Sequence, residues 1–300
     1  MKEGRPSLTA IAAASMRAAH LLLDDEPKIL RDDLALALSD IGDEVALRTT
    51  MDRIQTEIAQ QTTPELAQTF LRYGRGLAVW RSRYVEDELE QAMQRGVTQY
   101  VILGAGLDSF AYRRQEVAKI VRVFEVDHPA TQHWKQTRLH AVGVEIPPTV
   151  TFVPLDFEQQ ELQEGLRASG YRLEEPGVIS WLGVTPYLTE DAIISTLREV
   201  AALAAGTEII FEYEVPDALL DAEGQRLEAA TRVFATARNE PWLSVFDPSR
   251  LRAQVQALGF VVIEDVGPME AHARYFAGRR DGLGTLPFAR LMKAQVRSRH

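Results

Sequence analysis

The sequence predicts an α/β protein, a doubly wound and mostly parallel sheet preceded by a helical region. Three observations carry this reading. From residue 99 onward, short runs rich in Val, Ile, Phe and Tyr alternate with helical stretches, which is the mark of βαβ units. The first run, Tyr100-Val-Ile-Leu103, leads directly into Gly104-Ala105-Gly106. The second ends in Asp127, 23 residues after Gly104. Strand, glycine turn, helix, strand and acid together form the nucleoside-binding half of such a sheet.

Residues 1–98 read as helical. An alanine-rich stretch over 7–23 begins with Ser7, a capping residue type. Two further helices are expected over 44–60 and 64–95, the second with Pro64 in its first turn. Gly74 and Gly76 inside it suggest a bend. Strands are then expected at 100–103, 121–126, 150–154, 178–182 and 208–215, with helices at 109–119, 129–141, 158–169 and 190–204 between them. Residues 218–238 and 247–258 read as helices. Two closely spaced runs, 261–265 and 271–277, read as an antiparallel pair at the sheet's edge. The tail is expected to be partly helical. The expected organisation is a helical cap over 1–98, an α/β domain over 99–283 with a helical insertion at about 217–257, and a C-terminal tail over 284–300.

Composition narrows the function. The chain has 300 residues, 46% of them hydrophobic and 25% charged, as expected for a soluble globular protein. A net charge of −10 argues against broad contact with a phosphate backbone, so no nucleic-acid partner is expected. There is no cysteine, so thiolate nucleophiles and Cys-ligated metals are excluded. No apolar run reaches membrane-spanning length and no signal-peptide layout is present, so a cytoplasmic protein without a membrane partner is expected. Oligomeric state is not legible.

The glycine turn lets backbone approach a ligand where a Cβ would clash. Position 109 is Ser where a dinucleotide enzyme carries its third glycine, which favours a nucleoside without a pyrophosphate. Asp127 can accept from both ribose hydroxyls. Glu125 points to the same side of its strand, but Asp127, at the strand's end, is the better placed. Asp156 can accept from an adenine amino group with Phe157 stacking on the ring. As an alternative, Asp156 is a helix N-cap and Phe157 a core residue. Arg81 and Arg83 read from composition alone as solvated charges. His133 and His140 share a helix face, with surface histidines a simpler account than metal ligands, and no metal is expected. Tyr187 can hydrogen-bond an anionic or carbonyl substrate, or pack as an aromatic with a satisfied hydroxyl. No phosphate loop or Ser-His-Asp order is present.

Four segments in order resemble the leucine carboxyl methyltransferase family, and more closely its bacterial branch of S-adenosylmethionine-dependent methyltransferases. They are Gln99-Tyr-Val-Ile-Leu-Gly-Ala-Gly-Leu-Asp-Ser-Phe-Ala-Tyr-Arg113, Phe124-Glu-Val-Asp-His-Pro129, Val153-Pro-Leu-Asp-Phe157 and Trp181-Leu-Gly-Val-Thr-Pro-Tyr-Leu188. The resemblance implies the class I methyltransferase fold, a Rossmann-like seven-stranded sheet with one antiparallel strand. It implies S-adenosyl-L-methionine as cofactor and O-methylation of a small-molecule carboxylate. Gly104, Ala105 and Gly106 would lie under the methionine part, Asp127 would hold the ribose, and Asp156 and Phe157 the adenine. Arg81 would pair with the cofactor carboxylate. Tyr187, from its own position after the fourth strand, is the candidate catalytic residue. The chain departs from the family at Leu182, where many relatives carry a Glu that helps hold the cofactor's amino group. A nicotinamide-dependent oxidoreductase and a non-catalytic cofactor-binding domain are the competing readings.

Overall fold

The computed structural model describes residues 8–155 and 160–298. The N-terminal layer consists of α1 (Leu8–Leu23), α2 (Ala35–Ser39), α3 (Glu44–Ala59) and α4 (Pro64–Gln94). Side chains close the free N–H groups at two starts: Asp43 accepts from Ala46 N at 2.8 Å and Thr63 from Leu66 N at 3.2 Å. Contrary to the expected bend, α4 runs unbroken through Gly74 and Gly76. A Cβ on Gly76 would overlap the Gly284 carbonyl, so this glycine marks a close chain crossing.

The remainder is β1 (Gln99–Leu103), α5 (Phe110–Arg113), α6 (Gln115–Ala118), β2 (Arg122–Asp127), α7 (Pro129–Ala141), β3 (Val150–Pro154) and α8 (Leu162–Ala168), followed by β4 (Val178–Trp181) and α9 (Glu190–Ala201). Then come β5 (Glu208–Glu214), α10 (Ala222–Thr236), α11 (Pro248–Ala257), β6 (Phe260–Val266), α12 (Pro268–Ala271) and β7 (Ala289–Val296). The expected helix over 109–119 is two short ones, parted at Arg114 (φ −107°, ψ 51°).

The seven strands lie in the order β3-β2-β1-β4-β5-β7-β6, with β7 antiparallel to both neighbours and all other pairs parallel. This is the class I methyltransferase topology. The strand order reverses at β1, whose neighbours are β2 and β4, and ligands bind where such a reversal opens a crevice. Register makes the crevice: Leu103 lies level with Val126 on β2 and with Trp181 on β4, so three loops leave the sheet at one height.

The last strand is not where the sequence suggested. Residues 272–276 form a π-helical turn after α12, with the rings of His272 and Phe276 stacked 6.5 Å apart. Their spacing is that of a helical turn, which five residues of mixed polarity cannot distinguish from strand alternation. The seventh strand is instead Ala289-Arg-Leu-Met-Lys-Ala-Gln-Val296, inside the segment expected to be a tail. Most of these residues are helix formers by propensity. Pairing on both edges, to β5 and to β6, overrides that preference.

α4 packs along the β5–β7–β6 side of the sheet. Its fully buried Trp80 donates to Thr285 Oγ1 at 2.6 Å, Tyr84 donates to Glu264 Oε2 at 2.8 Å, and just beyond its end Arg95 meets Glu208 at 2.6 Å. Among the described residues, no helix is long and apolar enough to cross a membrane.

Candidate cofactor and acceptor site

A cavity of about 460 Å³ opens at the strand reversal. Arg81, Gly104, Ala105, Gly106, Asp127 and Tyr187 all line it. Six of the eight predicted site residues are therefore brought together from four parts of the chain. Asp156 and Phe157 lie outside the described residues, and Leu155, which precedes them, lines the same cavity.

The glycine turn folds back over the end of β2. Gly104 N and Ala105 N both donate to Val126 O, at 2.8 and 3.1 Å. Gly104 has φ +65°, and a Cβ there would overlap the Val184 side chain. Gly106 has φ +47° and faces Ala10 of α1. Both conformations suit glycine, and together they expose backbone to the cavity.

Asp127 ends β2. Its Oδ2 accepts from Gly106 N at 2.6 Å and its Oδ1 from His128 N at 2.7 Å. Burial pushes this carboxyl above its ordinary value, and the two backbone N–H groups pull against that. Each oxygen retains acceptor capacity for a hydroxyl. Glu125, two residues earlier, is fully buried against Lys135 Nζ at 2.7 Å and does not line the cavity. His133 and His140 are exposed on α7.

Arg81 reaches the cavity from α4 with its side chain 14% exposed. Its Nη1 donates to Glu212 Oε2 at 2.6 Å, and Gly183 N donates to that same oxygen at 2.6 Å. Arg83, two residues on, is turned to solvent and pairs with Asp87 at 2.7 Å. Thus the bland reading of exposed charge holds for Arg83, not for Arg81. Leu182 lines the cavity beside Gly183.

Tyr187 lies in a short turn, Thr185–Tyr187, after β4. Burial pushes its hydroxyl up to about 12, so at neutral pH it is a donor and not a base. Thr185, by contrast, is buried and donates to the Glu212 carbonyl, so its role is structural. The turn is stitched to residues 243–246: Leu243 N donates to Pro186 O at 2.6 Å and Ser244 Oγ to Thr185 O at 3.1 Å.

Sequence reasoning missed two groups here. The first fixes the glycine turn to the N-terminal layer. Buried Arg17 of α1 donates to Leu107 O at 2.6 Å and to Asp32 Oδ2 at 2.7 Å. Asp32 also accepts from Ser109 Oγ at 2.6 Å. Burial pushes the Asp32 carboxyl up, but Arg17, Arg113 and the Ser109 bond outweigh it and hold it below the usual range. The second is a row of acids on one face of β5: Glu208, Glu212 and Glu214, all buried. Burial, then the neighbouring Glu212 charge, push the Glu214 carboxyl well above its ordinary value, and its Oε2 has no hydrogen-bond partner. Three Glu inside an apolar strand were the available signal.

Comparison with known proteins agrees with this geometry. The family model described as leucine carboxyl methyltransferase matches residues 10–201. A Bacillus subtilis (strain 168) protein named "Putative S-adenosyl-L-methionine-dependent methyltransferase YktD" is 31% identical over 299 residues, covering 94% of this chain and 95% of that one. A Mycobacterium avium (strain 104) protein given that name without the suffix is 30% identical over 214 residues, covering 71% and 68%. Among solved structures, a Thermobifida fusca YX protein described as a "putative methyltransferase" superposes with a TM-score of 0.57 at 16% identity, covering 98% of this chain and 96% of that one. A DUF574 family protein of Streptomyces avermitilis gives 0.56 at 14% identity, covering 98% and 99%. The two structures speak for the fold alone.

Proposed function

Because this chain belongs to the leucine carboxyl methyltransferase family and is an S-adenosylmethionine-dependent methyltransferase, we propose that it methylates a carboxylate oxygen of a small molecule. Family membership displaces the nicotinamide and non-catalytic alternatives. What remains is the acceptor and the role of each residue.

The cavity fits the cofactor. Backbone at Gly104, Ala105 and Gly106 lines the cavity and would flank the methionine part. Asp127 would accept from the ribose hydroxyls, Arg81 would take the carboxylate, and Asp156 with Phe157 would hold the adenine. The bound cofactor supplies a methyl group already activated on a sulfonium.

The observation that carries the acceptor assignment is the chemistry of the cavity's β4 end. Tyr187 presents a neutral hydroxyl, Arg81 a cation, and Leu182, Val184 and Leu188 apolar walls. Among the described residues, the carboxylate and imidazole groups lining the cavity are Asp108, Asp127 and His128, in the loop after β1, at the end of β2 and just beyond it. An alcohol acceptor needs a base to remove its proton, whereas a carboxylate is ionised at pH 7. In this scheme the carboxylate oxygen bonds the methyl carbon as the carbon–sulfur bond breaks, and the electron pair stays on sulfur. No proton moves. Tyr187 would donate to the non-attacking carboxylate oxygen and fix the line of approach, with alignment and water exclusion supplying the rate. Of the acids in the 217–228 region, Asp221 caps α10 and Glu228 is tied to Arg232. The absence of cysteine is compatible with the proposed cytoplasmic setting.

Incubation with S-adenosylmethionine and matched panels of small carboxylic acids and alcohols tests this. Methyl-ester products that release methanol in mild alkali support it. Base-stable methyl ethers or amines overturn it.

A further inference from the structure

We infer that Glu212 is a positioning residue for the amino-acid end of the methyl donor: it aims the Arg81 guanidinium at the ligand's carboxylate without touching the ligand. This rests on the donor site proposed above and assigns a function to a side chain that does not line the cavity.

Three elements converge on one oxygen. Arg81 comes from α4, Gly183 from the loop after β4, and Glu212 from β5. Glu212 Oε2 accepts from Arg81 Nη1 and from Gly183 N, both at 2.6 Å, and its side chain is 1% exposed. Arg81 and Gly183 line the cavity, while Glu212 sits behind them. A guanidinium is a planar fork of five N–H groups. With one edge held inward by a buried carboxylate, the orientation of the remaining edge is set.

Position 183 shows how closely the fork is seated. Gly183 has φ +67°, and a Cβ there would stand 2.9 Å from Arg81 Nη2 and 3.0 Å from Nη1. The guanidinium lies flat against this glycine. A side chain at 183 would push it off the Glu212 oxygen. Glu214, next along the same strand face, is pushed well above its ordinary value by burial and then by the neighbouring Glu212 charge.

Calorimetric binding of two ligands separates alignment from mere stability. One is S-adenosylhomocysteine, the other its analogue lacking the carboxylate. The readout is the ratio of their affinities, which reports the carboxylate contact alone. In Glu212→Gln the ratio is expected to fall about tenfold, the scale of a charge-assisted hydrogen bond lost or misdirected. Glu212→Asp, which keeps the charge but withdraws the carboxylate from Arg81, is expected to lower it likewise and carries the test if the first variant fails to fold. Glu208→Gln, on the same strand face but paired with Arg95 and Lys293, should leave the ratio unchanged. An unchanged ratio in Glu212→Gln, or equal weakening of both ligands, overturns the inference while the donor site stands. Failure of the unmodified protein to bind either ligand overturns the donor site, and the inference with it.

Discussion

Ser109 donates its hydroxyl to Asp32 Oδ2 at 2.6 Å, so the third position of the glycine turn is tied to the N-terminal helical layer. A glycine there would serve close packing of helix on strand. This chain instead uses the position to anchor the cap beside the cavity. Replacing Ser109 by Ala or by Gly removes a hydrogen bond to a buried, ionised carboxylate. Both variants are expected to lose about 1–3 kcal/mol in urea unfolding. A midpoint equal to that of the unmodified protein would show the bond contributes nothing. The Ser109→Gly variant is expected to be the less stable protein although it restores the commoner sequence pattern.

Gly104 is the tightest point of the site. Alanine there would combine a positive φ with a collision against Val184. We expect Gly104→Ala to lose about 1–3 kcal/mol of stability from strain and to abolish measurable S-adenosylhomocysteine binding by calorimetry. Adding Val184→Ala should restore part of the stability, since it removes the colliding methyl groups. No recovery in the double variant would assign the loss to the backbone alone.

Tyr187→Phe deletes a neutral donor and leaves the ring. For a carboxylate acceptor, kcat should fall roughly tenfold to a hundredfold, the scale of lost alignment of the reacting atoms. The KM for S-adenosylmethionine should be little changed. With its hydroxyl pushed up to about 12, Tyr187 remains protonated across the neutral range. The rate of the unmodified enzyme should therefore be flat from about pH 6 to 9, where the acceptor is fully ionised. A rate that climbs with a slope of one over that range would point to a base and an alcohol acceptor.

Glu214 should make stability depend on pH. Burial and the Glu212 charge raise its folded-state value above the unfolded one, so the folded protein holds a proton that the unfolded chain releases. Its contribution is fully present below the ordinary glutamate range and is lost as pH rises. Glu214→Gln, which keeps the shape and removes the ionisation, should melt higher than the unmodified protein at pH 8, and the difference should shrink toward pH 4.5. The comparison is made by thermal melts at both values. A variant that melts lower at pH 8 would mean Glu214 is ionised and paired.

The glycine-turn side of the cavity was legible because its determinants are local. Gly104, Gly106 and Asp127 sit within one strand–turn–strand unit whose spacing is set by backbone geometry. The parts that were not legible depend on contacts between distant segments. Arg81 looks like a surface charge until Glu212, 131 residues later, is placed beside it. Ser109 reads as a defect in a motif until Asp32 supplies its partner. The seventh strand carries helix-forming residues, and only the open edges of β5 and β6 make it a strand. Gly76 reads as a hinge, yet its glycine answers to the Gly284 carbonyl across a chain crossing.

The unbroken course of α4 ties the α10 contact and the cavity to one axis. Phe70, near its start, packs on Phe234 of α10 with ring centroids 5.5 Å apart, and Arg81 follows eleven residues later. At 3.6 residues per turn, gaining or losing a single residue between them would swing Arg81 about 100° around the rod. Substitutions on α10 would leave that register intact, but length changes along this stretch of α4 would carry Arg81 away from the cavity and from Glu212.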